Sequence, residues 1–193
     1  MAQINLIAGL GNPGSQYEMT RHNVGFWFVN QLARSKGASF KHESKFHGEV
    51  AKIKIEGQDV WLIKPLTYMN RSGQSVAALA RFYKIPPENI LVVHDELDIP
   101  TGAIRLKKGG GHGGHNGLRD TIAQLGSKEF MRLRLGIDHP GHSREVSHYV
   151  LSKPKPDEAR LMEYAIDEVL RQLHLIIPGE MGKAMNHLHS YKP

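Results

Sequence analysis

The sequence predicts a single α/β domain over residues 1–193, built on a twisted, mixed, partly parallel sheet flanked by helices. Three observations carry this: short apolar runs that read as strands alternate with segments of helical periodicity, no low-complexity linker divides the chain, and 193 residues make one domain at roughly 100–200 residues per domain.

Residues 4–8 form an apolar run that reads as a buried strand, followed by a loop over 9–17. Thr20 is placed to cap a helix over 21–35, in which Val24, Phe28, Leu32 and Ala33 recur at helical spacing. Strand-like runs at 48–55 and 60–64, joined by 56–59, read as a hairpin, and Pro65 ends the second. A helical pattern over 75–83 stops before Pro86 and Pro87, and a buried strand over 90–94 delivers Asp95 to its carboxyl end. Residues 103–107 alternate like an edge strand, and the glycine-rich stretch 109–117 leads into a helix over 118–125. FMRLRLGI, residues 130–137, alternates apolar and basic residues, so Arg132 and Arg134 should share one face of a strand. A helix over 156–173 closes the pattern; the His-rich tail after Pro178 gives no functional signal.

Twenty-five Lys and Arg against 19 Asp and Glu leave a charge of +6. That favours an anionic partner, nucleic acid before membrane, because the basic residues are not gathered into one amphipathic stripe. The absence of cysteine excludes disulfide scaffolds, thiol nucleophiles, iron–sulfur clusters and Cys-based zinc sites. No run approaches the ~20 apolar residues of a membrane span, and the start MAQINLIAGLGNPG has no signal-peptide pattern. The expectation is a soluble, cytoplasmic protein.

In open α/β sheets ligands gather beyond the carboxyl ends of the strands, and the loops holding Asn12, Asn70, Asp95 and Asn116 follow expected strands. Gly9, Gly11 and Gly14 spell G-x-G-x-x-G, but Pro13 precedes the third glycine, the helical pattern begins later, and Arg34 stands where a ribose-binding acid belongs. Those glycines then serve a tight turn, with Asn12 at its apex. His22, in TRHN at an expected helix start, has the dipole's positive end to keep its ring neutral. Asp95 is placed to accept from one His22 nitrogen and leave the other for a proton. In GGGHGGHNG so many glycines imply close backbone approach to a ligand, and Lys107 and Lys108 just before it point to phosphate. His112 and His115 lack companions at metal-ligand spacing, so no metal and no cofactor are expected. Without a G-x-S-x-G elbow the nucleophile is water. From the residues alone, a non-catalytic RNA-binding module and a small nucleotide-dependent oxidoreductase stay open beside a hydrolase.

Five blocks in order, GLGNPGSQYEMTRHNVG (9–25), KPLTYMNRSG (64–73), VVHDELDIPTG (92–102), GGGHGGHNGLRD (109–120) and RLRLGIDHPG (132–141), resemble the bacterial-type peptidyl-tRNA hydrolases over nearly the whole length. The resemblance implies an esterase that cleaves peptide from the terminal ribose of tRNA, as a cytoplasmic monomer without metal, cofactor or obligate protein partner. It also implies His22 as catalytic base, Asp95 as the carboxylate orienting it, and Asn12, Asn70 and Asn116 as amides holding the substrate, with Asn116 also positioning water. Tyr17, Met69 and His115 match further cleft positions, and Lys107 and Arg134 the pair that clamps the 5′ phosphate of the acceptor stem, whose CCA end carries the ester. Asp138 stands where the family commonly has glycine, an added carboxylate near that clamp or one turned to solvent. The stretch at Ser143 and Arg144 does not align securely.

Overall fold

The apolar runs pair into one seven-stranded sheet: β1 (Leu6–Gly9), β2 (Lys41–Glu43), β3 (Gly48–Ile55), β4 (Gln58–Pro65), β5 (Ile90–Glu96), β6 (Ile104–Lys108) and β7 (Met131–Gly136), in the order β2-β3-β4-β1-β5-β7-β6. The computed structural model describes residues 2–193, so residue 1 of the expected domain lies outside the described residues. Strand β1 runs parallel to β4 and β5, and β5 parallel to β7, while β2–β3, β3–β4 and β6–β7 are antiparallel. The mixed sheet expected from the sequence is therefore a parallel centre with antiparallel flanks, and β6 is an edge as its alternation predicts. Helices α1 (Val24–Ser35), α2 (Ser72–Phe82), α3 (Asn116–Leu125), α4 (Val146–Val150), α5 (Pro156–Arg171), α6 (Leu173–Ile176) and α7 (Met181–Ser190) supply the rest.

Two apolar clusters form, one on each face of the sheet. Phe28, Val29 and Leu32 of α1, Ile166 and Val169 of α5, and Ala184 and Leu188 of α7 cover Ile7, Val93 and Leu133. Val76 and Leu79 of α2 and Leu118 of α3 cover Ala8, Ile63 and Val92 on the other face. Each core strand is apolar on both sides because both faces are roofed.

Several boundaries differ from the sequence reading. The hairpin turn is only Glu56 and Gly57, both at positive φ, with Ile55 opposite Gln58, because a two-residue turn of that hand matches the strand twist. Thr20 does not cap a helix: its hydroxyl donates to the Tyr17 carbonyl, and Arg21–Asn23 form a 3₁₀ turn before α1 begins. The tail is not featureless. Helix α7 lies against edge strand β6, and His189 Nε2 accepts the Leu106 backbone N–H at 2.9 Å. Burial and the nearby Arg105 charge hold His189 below its ordinary pKa, which keeps the ring available as an acceptor.

The close seating of α1 on β1 is made by missing side chains. A Cβ on Gly9 would collide with the Gly25 carbonyl, and one on Gly25 would sit 2.6 Å from backbone atoms of Leu10 and Val93. Backbone cannot swing aside as a side-chain tip can. Gly25→Ala should therefore lower stability by about 2–3 kcal/mol, whereas Gly182→Ala, where a Cβ meets open space in α7, should raise it by up to ~1 kcal/mol; urea midpoints of the two variants check both signs.

Candidate active site

The carboxyl ends of β1 and β5 and the loops after β4 and β6 converge on one cavity of about 590 Å³, lined by Asn12, His22, Met69, Asn70, Asp95, His115 and Asn116 among others. Asp95, next to last in β5, is 3 % exposed. Its two carboxylate oxygens accept from two imidazoles, Oδ2 from His22 Nδ1 and Oδ1 from His115 Nε2, each at 2.8 Å. Burial alone would push this carboxyl up, but the two imidazoles and their hydrogen bonds outweigh it and hold Asp95 ionised, well below the usual carboxylate range.

The two rings differ in what they have left. His115 Nδ1 accepts the Leu118 backbone N–H at 3.2 Å, making His115 the N-cap of α3, so both its nitrogens are committed. His22 bonds through Nδ1 only, and among the described residues its Nε2 has no partner. A third imidazole, His94, is buried with Nδ1 donating to the Asp95 carbonyl at 2.7 Å and Nε2 unpartnered; burial, then the neighbouring His115, lower its pKa to about 3, so it stays neutral. Burial lowers the His22 pKa as well, but the Asp95 charge and hydrogen bond outweigh it and the net shift is upward. This corrects the expectation drawn from a helix dipole: His22 sits in the 3₁₀ turn ahead of α1, and the carboxylate, not the helix end, sets its titration. His22, Asp95 and His115 also bring possible metal-ligand atoms within 4.8 Å of one another. Here the two ring nitrogens concerned each share a proton with Asp95, so the cluster is arranged for proton sharing, and a metal would have to displace both protons.

Neighbouring residues fix this cluster from outside. Arg21 anchors the turn carrying His22, with Nη2 on Glu158 at 2.9 Å, Nη1 on the Lys153 carbonyl at 3.2 Å, and the guanidinium over the Tyr149 ring. Asn23 grips the backbone of Asn12 in both directions, accepting its N–H and donating to its carbonyl, each at 2.9 Å. Asn12 Oδ1 accepts the Met69 N–H at 2.7 Å, which orients its amide and leaves Nδ2 as the free end. Asn70 is exposed at the mouth. Asn116 is the first residue of α3. Tyr17 lies outside the cavity lining and stands edge-on to Tyr68 at 6.4 Å.

Lys107 and Arg134 do not line the cavity. They lie on one face of the β6–β7 pair, Lys107 opposite Arg132 and Arg134 opposite Arg105, which bears out the shared face expected of the two β7 arginines. Arg132 has a different fate from Arg134. It is 2 % exposed, and its guanidinium donates to the carbonyls of Gly110, Gly111 and Lys128, tying the glycine loop to the strand. Sequence periodicity places Arg132 on the face but does not reveal that it is spent on backbone; nor does it single out Asn23 or His94. Asp138 takes φ +64°, a conformation suited to glycine, and its carboxylate accepts from the Thr101 N–H and hydroxyl at 3.0 Å each. It closes its own turn. Ser143, Val146 and Val150, in the stretch that did not align, line the cavity.

The glycines of 9–14 serve close packing, with Gly11 against the Phe26 ring as Gly9 is against Gly25, so the dinucleotide reading loses its basis. A family model described as Peptidyl-tRNA hydrolase matches residues 6–193. A peptidyl-tRNA hydrolase of Halorhodospira halophila is 56% identical over 185 residues, 96% of this chain and 95% of that protein. One from Acinetobacter baumannii (strain AYE) is 55% identical over the full 193 residues of both. The crystal structure of peptidyl-tRNA hydrolase from Acinetobacter baumannii superposes with a TM-score of 0.97 at 54% identity, covering 100% of this chain and 98% of that one. With the sequence matched along its whole length and the fold superposing at a TM-score of 0.97, the chain belongs to the peptidyl-tRNA hydrolase family.

Proposed function

We propose that the protein hydrolyses the ester between the C-terminal carbonyl of a peptide and the terminal ribose of tRNA, with His22 Nε2 drawing a proton from the attacking water. The observation that carries this reading is that, of three imidazoles around Asp95, His22 alone keeps a nitrogen facing the cavity and free of the protein's own hydrogen bonds. A module that only binds RNA has no use for such an atom.

Asp95 accepts from Nδ1–H, which fixes the tautomer with the lone pair on Nε2, and its charge stabilises the imidazolium that forms. The water oxygen bonds to the carbonyl carbon and the carbonyl oxygen becomes an oxyanion. Asn12, with its amide oxygen already tied to Met69, and Asn116 offer neutral donors to that charge; Asn116 also positions the water. As the carbon–ribose bond breaks, the proton held on Nε2 passes to the departing ribose oxygen and His22 is neutral again. Asn70 and Met69 hold the peptide end, His115 fixes the far side of Asp95, and Tyr17 stands further out along the cleft. No metal or cofactor takes part in this scheme.

Lys107 and Arg134 clamp the 5′ phosphate of the acceptor stem, so that the CCA end reaches the cavity. Among the described residues neither has an ion-pair partner, and cations free of carboxylates on one sheet face suit a phosphate. The protein acts as a cytoplasmic monomer without an obligate protein partner; among the described residues no helix is long and apolar enough to cross a membrane.

His22→Ala should lose about 10²- to 10⁴-fold in turnover while retaining affinity for uncharged tRNA, measured by release of tRNA from an N-acyl-aminoacyl-tRNA beside a binding titration; near-native turnover would remove His22 from the base role. The pH profile carries a second test. Neutral His22 is the active form and its pKa is raised, so kcat/KM should fall as pH drops through a value above the ordinary ~6.5 of imidazole. Asp95→Asn should lower the rate and move that acid limb down, because burial remains while the charge is gone. The His22–Asp95 ion pair stabilises the fold fully below ~6.5 and fades as pH rises through the raised value. Lys107→Ala and Arg134→Ala should each lose about tenfold or more on full tRNA substrates and reduce the salt slope by ~1, with little loss on minimal ester analogues; equal losses on both substrates would refute the clamp.

A further inference from the structure

One buried imidazole has no part in the catalytic scheme. His94 lies on β5 beside Asp95 at 1 % exposure and lines no part of the catalytic cavity. Its Nδ1–H donates to the Asp95 carbonyl at 2.7 Å, and strand geometry explains why. In a parallel ladder alternate residues turn their carbonyls to the same neighbour, so Asp95 faces β1 as Val93 does. The Val93 carbonyl accepts the Leu10 N–H at 3.0 Å, but the next donor along, the Asn12 N–H, is held by Asn23. His94 supplies the donor that β1 leaves off. This tautomer puts a lone pair on Nε2, buried and without a donor, a destabilising feature that packing alone does not call for.

Resting on the reading of the protein as a peptidyl-tRNA esterase, we infer that His94 is a positioning residue that ties the phosphate clamp to the catalytic carboxylate, through Arg134 on one side and the Asp95 backbone and His115 ring on the other. Register supplies the first argument. His94 stands directly opposite Arg134 in the β5–β7 pair, so the two side chains leave the sheet on one face. Arg134 Nε–H is a buried donor without an acceptor, and His94 Nε2 is a buried acceptor without a donor. On facing residues of strands that lie ~4.8 Å apart, these two atoms complement each other, and a phosphate that draws the Arg134 guanidinium changes the field at the His94 lone pair.

The catalytic side supplies the second argument. The His94 ring meets the His115 ring edge-on, with centroids 4.9 Å apart, and His115 Nε2 is the donor to Asp95 Oδ1. His94 therefore bears on Asp95 by two routes, its backbone carbonyl and the imidazole that shares its carboxylate. The charged or titratable groups around the ring are Asp95 on its own strand, His115 at the α3 cap, and Arg132 and Arg134 on β7. Burial keeps the ring neutral in that company, so it acts by orientation and carries no proton.

Two substitutions separate the two nitrogens. His94→Asn keeps an amide N–H near the Nδ1 position and removes Nε2. It should leave the acid limb of kcat/KM where wild type has it, lose about tenfold more on full tRNA substrates than on minimal ester analogues, and lose nothing further in an Arg134→Ala background. His94→Gln keeps an acceptor near the Nε2 position and removes Nδ1. It should move the acid limb down, because a loosened Asp95 holds the His22 proton less well, with equal losses on the two substrates. Reversed patterns, or losses by His94→Asn that add in full to those of Arg134→Ala, overturn the proposal. If neither variant folds, wild type decides: uncharged tRNA should shift the Nε2 magnetic resonance signal of His94, and should not do so in Arg134→Ala protein. No shift in wild type, or an equal shift in both proteins, overturns the proposal. Failure of wild type to cleave an N-acyl-aminoacyl-tRNA sinks the esterase reading itself, an outcome distinct from these because the resonance shift needs no turnover.

Discussion

A buried carboxylate shared between two imidazoles organises this molecule. An ionised Asp95 at 3 % exposure is sustainable only because each oxygen receives a charge-assisted hydrogen bond at 2.8 Å. Those bonds come from distant parts of the chain, a turn before α1 and the cap of α3, so the electrostatics of one side chain dictate where two loops must end. The same requirement sorts the histidines into roles. His115 has both nitrogens in the framework, His94 is too buried to charge, and His22 keeps Nε2 free of the protein's own hydrogen bonds.

The surroundings make this arrangement stiff rather than merely compatible. Arg21 and Arg132 are buried guanidiniums that hold backbone carbonyls on opposite flanks of the cavity, converting a glycine-rich loop and an irregular turn into fixed surfaces. Asn23 does the same for Asn12 with two bonds to its backbone. Flexible sequence is thus anchored by hydrogen bonds from buried side chains, and the order lost by glycine is restored through side chains elsewhere.

Much of the fold was legible because apolar runs and their breakers are local signals. Pro65 ends a strand, the 130–137 alternation is β7, and Asp95 falls at the end of β5 as expected. The site was legible in part for the same reason: amides and a carboxylate in loops after strands meet at the carboxyl ends of an α/β sheet. What escaped depends on long-range partners. The upward shift of His22 belongs to a carboxylate 73 residues away, and the local view from a helix start pointed the other way. Arg132 and Arg134 read alike in sequence, yet one faces carbonyls and the other remains half-exposed. The cavity wall from Ser143 to Val150 and the helical tail carry no motif, since their placement follows from packing against elements laid down earlier in the chain.

The tail has a consequence for the behaviour of the protein in solution. Strand β6 ends the sheet, and an open edge presents unpaired N–H and C=O groups on which another chain can add a strand. Helix α7 covers that edge, and His189 occupies the Leu106 N–H that an intruding strand would seek. The last residues therefore occupy a backbone donor at the end of the sheet, beside the basic residues of β6 and β7. Because the ring that accepts this N–H has its pKa held below the ordinary value, the contact stands at neutral pH and is lost only in acid, where the ring becomes a donor.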